Sequence, residues 1–298
     1  MLNGKVLILG ACGFVGSHMY RKLGPERAVA CWFHNEIPEG VRFDALTQDL
    51  AEVLSPEGIA HAMVYYGDTM PDSCAKNPAL SQALNVDSTK RVIDRLVSWG
   101  IPFTFTSSES VFDGSSGPND EMALANPIML YGRQKLEIEH FLTQNHPDAA
   151  WTVMRLGKVF GATAVNEKLF TGWIDAIENN RKIRIATDQV FSPIFVDDVV
   201  DACLLAAERG LRGLYHLCGS RPYSRYELLQ MLITEVKRYR PVTVEIEECS
   251  IDDFALIEPR PKNCSMRVDK LVAATGITIT PTETVCRRIV DDYFSRKG

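Results

Sequence analysis

The chain has 298 residues, a net charge of −6 and 46% hydrophobic residues, enough for one large α/β unit with a smaller lobe. The negative balance argues against nucleic acid or an anionic membrane as the main partner, because both are held by concentrated positive charge. No apolar stretch approaches the ~20 residues that cross a bilayer, and the first residues lead into a strand without a signal-peptide pattern, so a cytoplasmic protein is expected.

Residues 5–9 (Lys-Val-Leu-Ile-Leu) form a nearly continuous apolar run, the pattern of a strand buried on both faces of a parallel sheet. Gly10, Cys12, Gly13, Phe14, Val15 and Gly16 follow in Gly-Ala-Cys-Gly-Phe-Val-Gly, and an amphipathic helix runs on to Gly24-Pro25. The first glycine permits a tight turn, the second lets the backbone approach a pyrophosphate, and the third lets helix and strand pack closely. The pyrophosphate would rest on free N–H groups at the positive end of the helix. A glycine triplet after a first strand and opening a helix therefore points to a dinucleotide. The second strand, 27–33, ends at Phe33-His34-Asn35, with no acid placed to bind a ribose 2′-hydroxyl. This favours NADP(H) over NAD(H), with His34 a candidate for the 2′-phosphate.

Strand-like and helix-like segments then alternate: a strand over 62–66, a helix over 79–99, a strand over 102–107, a helix over 129–144 and a strand over 151–156. Alternation implies right-handed crossovers and a parallel sheet. The expected fold is a doubly wound parallel-sheet Rossmann domain over 1–160, with a return near 190–210, and a smaller C-terminal substrate-binding lobe over 161–298. Segments 166–182, 223–239 and 241–261 are assigned to that lobe.

The helix expected over 129–144 carries Tyr131 and Lys135 at i and i+4, on one face. A phenol ordinarily loses its proton near pH ~10, and a neighbouring cation favours phenolate. Ser108, at the end of the preceding strand, could hold a carbonyl or alcohol oxygen against that phenol. The three together suit acid/base interconversion of an alcohol and a ketone. A second copy of the spacing, Tyr293/Lys297, lies at the C-terminus without such a strand and is read as chance. The eight cysteines, at 12, 31, 74, 203, 218, 249, 264 and 286, form no Cys-x-x-Cys pair and the histidines no ligand pattern, so no metal site is expected.

In this order and spacing the glycine loop, Ser108 and Tyr131/Lys135 resemble the extended short-chain dehydrogenase/reductase family. Ser-Ser-Glu-Ser-Val-Phe-Asp-Gly at 107–114, Asn126-Pro127, Asp188-Gln189, Ser192-Pro193 and Arg260-Pro261 with Asn263 are similar to the dTDP-4-dehydrorhamnose reductase-like subgroup. The resemblance implies a reductase acting on a keto group of a nucleotide-activated deoxysugar. In it Ser108 orients the carbonyl, Tyr131 donates the proton, and Lys135 lowers the phenol's pKa and holds the nicotinamide ribose. It further implies an adenine contact at Asp44, cofactor contacts at Tyr65, Tyr66 and Gly67 where relatives carry small residues, and substrate contacts at Glu109, Ser110, Gln189 and Arg260. Family members are often homodimers. Glu109-Ser110 departs from the Asp-Tyr of the rhamnose-pathway reductases, which puts the sugar itself in question, and supplies one carboxylate where a 4,6-dehydratase carries Asp-Glu. The alternatives are an epimerase of the same fold and a non-catalytic, cofactor-binding regulatory subunit.

Overall fold

The computed structural model describes residues 2–161 and 169–296; Lys297 and the first residues of the segment expected from Asn166 lie outside them. β1 (Lys5–Leu9) is buried from Val6 onward, so it has no face to offer water and takes the middle of the sheet. It pairs in parallel with β2 (Ala28–Trp32) on one side and β4 (Ile59–Val64) on the other. β3 (Val41–Arg42) lies outside β2, and β5 (Phe103–Ser108) and β6 (Trp151–Leu156) continue beyond β4. A strand at Gly213–Leu217 completes the order Gly213–Leu217, β6, β5, β4, β1, β2, β3, with every pairing parallel. The chain order reverses between β1 and β4. Crossovers leaving that point on opposite sides open a crevice over the carboxyl ends of the strands.

The Gly213–Leu217 strand is an addition to the sequence reading, which returned the chain to this domain only near 190–210. Its pentapeptide Gly-Leu-Tyr-His-Leu is short and broken by a histidine, and its partner β6 lies some 60 positions earlier in the register Gly213↔Thr152. Local periodicity carries no signal for such a pairing. The long helix expected over 79–99 is also different in form. It is divided into Pro78–Gln82, a π-type turn at Ala83–Asp87 and Ser88–Ser98. Such widened turns often mark functional sites, and this one brings Asn85 inside.

α1 (Phe14–Arg27) starts directly after the glycine turn. Gly16 is required there by space: a Cβ on it would stand 2.2 Å from the Gly10 carbonyl oxygen and 3.0 Å from the Ala11 Cα. The helix Val196–Glu208 packs across α1 and buries Val199, Ala202, Cys203 and Ala206 in the same apolar cluster. The lobe has its own core, in which Ile174, Leu228, Leu232 and Ile289 from the helices Phe170–Glu178, Arg225–Val236 and Thr282–Ser295 meet. Phe14 and Val15 of the glycine loop pack against that core, so the loop joins the two regions. Tyr293 packs on it too.

Candidate active site

A cleft of about 380 Å³ opens at the switch point. Its walls are the carboxyl ends of four strands: Gly13–Gly16 after β1, Tyr65 and Gly67 after β4, Thr106 to Ser110 at the end of β5, and Leu156 to Val159 after β6. Tyr131 and Lys135 enter it from the helix Leu130–Asn145. Ser108, Tyr131 and Lys135 are therefore brought into one cavity with the glycine loop.

Tyr131 and Lys135 are almost fully buried, at 7% and 6% exposure. The Lys135 ammonium donates to the Thr106 carbonyl at 2.9 Å and stands 5.7 Å from the Tyr131 ring centre. The Tyr131 phenol faces the Ser108 side chain, and the Ser108 hydroxyl accepts the Ser110 N–H at 3.2 Å. Burial pushes the phenol well above its usual value while the polar Ser108 side chain pulls it back. Burial also drags Lys135 down to about 8, against the pull of Cys74 and Glu139. A phenol that keeps its proton is a donor, and an ammonium beside it can answer negative charge that forms on its oxygen. That is the equipment for delivering a proton to a carbonyl oxygen.

Two residues outside the sequence reading hold this geometry. Gly132 lets the helix touch the turn after Ser108, since a Cβ there would lie 2.1 Å from the Ser110 carbonyl oxygen. Asn85 accepts the Asp68 N–H at 2.8 Å and donates to the Asp68 carbonyl at 2.9 Å and to Gln134 of the helix Leu130–Asn145 at 2.8 Å. Gly132 is visible in the sequence beside Tyr131; Asn85 becomes visible only through its π-turn.

The remaining expected residues are spread over several environments. Phe14, Val15, Gly67, Glu109 and Ser110 line the cleft, as does Tyr65, whose phenol is buried against Cys203. Tyr66 turns the other way: its ring packs in the core beneath the sheet and its hydroxyl meets Ser88 at 3.1 Å, because successive strand residues point to opposite faces. Cys12 faces a separate concavity between α1 and the loop after β2, where its thiol donates to the Asn35 carbonyl. His34 is exposed and packs at a tilt against the Phe33 ring, 4.3 Å between centres. The Asp44 carboxylate closes its own turn, accepting from the Leu46 N–H and the Thr47 hydroxyl. Gln189 and Arg260 line a second cavity of about 200 Å³ with Arg184, Arg225, Trp173 and Phe254. There Arg260 is already engaged, donating to the Asp72 carboxylate at 2.5 Å and to the Glu258 carbonyl at 2.9 Å.

Glu109 is the unusual acid of the cleft. Its Oε2 is shut from solvent and has no hydrogen-bond partner among the described residues. Burial raises its pKa from 4.5 to about 8, although Lys158 and Arg225 pull it down. An acid held higher in the fold than in the unfolded chain favours folding while protonated and costs stability as pH rises between the two values. Glu109→Gln, which mimics the neutral acid, should thus match the wild type below pH 4.5 and gain on it up to about pH 8. At about 1.4 kcal/mol per pKa unit the gain amounts to a few kcal/mol. Thermal melts of both proteins across this range check it; parallel curves would refute a neutral Glu109.

Comparison with known proteins follows the same lines. The chain matches the family described as the RmlD substrate binding domain over residues 4–295. It belongs to that family. Among curated relatives it is 28% identical over 283 residues to methionine adenosyltransferase 2 subunit beta of Bos taurus, covering 90% of this chain and 82% of that protein. It is 28% identical over 223 residues to the probable low-salt glycan biosynthesis reductase Agl14 of Haloferax volcanii, covering 70% and 73%. The crystal structure of dTDP-4-dehydrorhamnose reductase from Bacillus anthracis in complex with NADP superposes with a TM-score of 0.83 at 20% identity, covering 98% of this chain and all of that one (100%). At that identity the likeness establishes a shared fold, the parallel seven-stranded α/β sheet.

Proposed function

We propose that this RmlD-family protein is a nicotinamide-dependent reductase that converts a keto group of a nucleotide-activated deoxysugar into an alcohol, with NADPH as its preferred cofactor. The observation that carries this reading is the assembly of Ser108, Tyr131 and Lys135 in one cleft with the glycine loop at the sheet's switch point. The cleft suits a dinucleotide: α1 has no side-chain cap and no acid in its first turn, which leaves its N–H groups available to a pyrophosphate. Bound there, NADPH supplies hydride. Ser108 holds the carbonyl oxygen, the Tyr131 O–H gives that oxygen a proton, and the Lys135 ammonium stabilises the phenolate left behind. The second cavity, with three arginines and the rings of Trp173 and Phe254, offers cations for a diphosphate and aromatic surface for a base. Eight free cysteines are compatible with a reducing, cytoplasmic setting.

The NADPH preference rests on the end of β2. The Arg42 guanidinium stands 5.3 Å over the Phe33 ring, and His34 packs at a tilt against that ring as well. Both are exposed and could meet a 2′-phosphate. Arg42→Ala should weaken NADPH about tenfold, the equivalent of ~1.4 kcal/mol, and leave NADH unchanged, measured by titration of each cofactor. An equal loss for both would refute the assignment.

The function itself is tested with purified protein, NADPH and a panel of keto-sugar nucleotides, following NADPH consumption and product. Interconversion of sugar epimers with no net consumption would point to the epimerase instead. A second reading has its own support, since the bovine relative is named as a subunit of another enzyme and aligns over 90% of this chain. It expects a tight protein partner and no turnover on any sugar nucleotide.

A further inference from the structure

Three consecutive residues at the end of β5 are each tied to one residue of the catalytic helix. The Ser108 hydroxyl meets the Tyr131 phenol, the Thr106 carbonyl accepts from the Lys135 ammonium, and the Ser107 hydroxyl donates to Glu139 at 2.5 Å. Tyr131, Lys135 and Glu139 fall at i, i+4 and i+8 and so form one stripe along the helix. Two members of the stripe belong to the cleft. The third, Glu139, lies outside it and is equally buried, at 6% exposure.

Strand register supplies its counter-charge. Arg155 of β6 is the cross-strand partner of Ser107, which puts both side chains on the same face of the sheet. Its Nε and Nη2 donate to the two Glu139 oxygens at 3.0 and 2.7 Å, while its guanidinium lies 5.2 Å from the Phe112 ring centre and within 3.5 Å of His216 Nε2. A pair this deep loses hydration that apolar residues of equal size would not lose, so its persistence calls for another reason.

The surroundings of Lys135 provide one. Its ammonium is packed against Phe105 and Tyr131, bonded to the Thr106 carbonyl, and acted on by Cys74 and Glu139. Burial keeps the Cys74 thiol neutral, with its pKa near 11. Glu109 and Asp68 bear on Tyr131 from across the cleft. Glu139 is thus the carboxylate that acts on Lys135, from outside the cleft.

We infer that Glu139 is a positioning residue of this site: clamped by Ser107 and Arg155, it fixes the catalytic helix on β5 and holds the Lys135 ammonium in its charged form. The inference rests on the reading of Ser108, Tyr131 and Lys135 as a ketone/alcohol site, since that chemistry needs the cation.

The test reads Lys135 itself and requires no substrate. Acetylation of Lys135 by acetic anhydride, followed by mass spectrometry of the peptide that carries it, reports the free amine as a function of pH. In Glu139→Gln the midpoint should fall by about one unit, a roughly tenfold rise in free amine at fixed pH. In Arg155→Gln, where Glu139 remains, it should stay at or above the wild-type value. Both variants lose thermal stability because each strands a buried charge. Stability loss without this asymmetry would show a purely structural pair and overturn the inference. If a single variant does not fold, Glu139→Gln/Arg155→Gln leaves no lone charge and should still show the lowered midpoint; an unchanged midpoint overturns the inference equally. The two readings fail separately. Turnover retained by Tyr131→Phe would sink the reductase, whereas an unmoved Lys135 midpoint with turnover lost in Tyr131→Phe would sink only the role of Glu139.

Discussion

Tyr131→Phe is expected to lower turnover with a keto-sugar nucleotide by about 10²–10⁴-fold, the usual contribution of a positioned proton donor. The ring would remain, and so would its packing at 7% exposure, while the hydroxyl that meets Ser108 would be gone. Lys135 would keep its bond to the Thr106 carbonyl. The loss should therefore appear in kcat, with cofactor binding nearly unchanged. Steady-state kinetics beside an NADPH titration check both parts. A variant that turns over normally would remove the chemical step from this cleft. A variant that also fails to bind NADPH would show that the hydroxyl had a structural duty instead.

Gly16→Val is expected to abolish stabilisation by NADPH. The added Cβ would press on the Gly10 carbonyl at 2.2 Å and the Ala11 Cα at 3.0 Å, and both are backbone atoms of the turn that must cradle a pyrophosphate. Overpacking of this kind typically costs about 1–3 kcal/mol in the protein alone. The larger consequence is for the ligand. NADPH at a hundredfold excess over its Kd should stabilise the wild type by about 2.7 kcal/mol, and that increment should vanish in the variant. Thermal melts with and without NADPH measure it. A full ligand-induced shift in Gly16→Val would mean that the dinucleotide lies elsewhere.

The two variants sit on the two motifs that were most legible in the sequence. The glycine loop could be read because its chemistry is local: the turn, the strand before it and the helix after it are contiguous, and each glycine answers a constraint from residues a few positions away. Tyr131 and Lys135 could be read as a pair because four residues make one helical turn. Ser108 is a different case. Its place at the end of a strand was legible, but its position against Tyr131 depends on how the helix Leu130–Asn145 settles on β5.

Tyr65 and Tyr66 show the limit clearly. The sequence offers both to the cofactor, and the pleat can deliver only one to the cleft, so Tyr65 lines it while Tyr66 joins the core with Ser88. Arg260 shows another. The resemblance offers it to the substrate, and the fold sets it against Asp72, 188 positions away. No periodicity links such positions.

By itself the sequence determined the parallel α/β class, the glycine turn that opens α1 and the placing of Tyr131 and Lys135 on one helical face, because each is written in contacts within a strand, a turn or one helical turn. The tertiary structure alone decided the strand at Gly213–Leu217, the second arginine-lined cavity and the Ser107–Glu139–Arg155 clamp behind the site. These depend on register between strands far apart in the chain and on the depth at which a charge is buried. Such quantities come into being only when the sheet closes and water leaves.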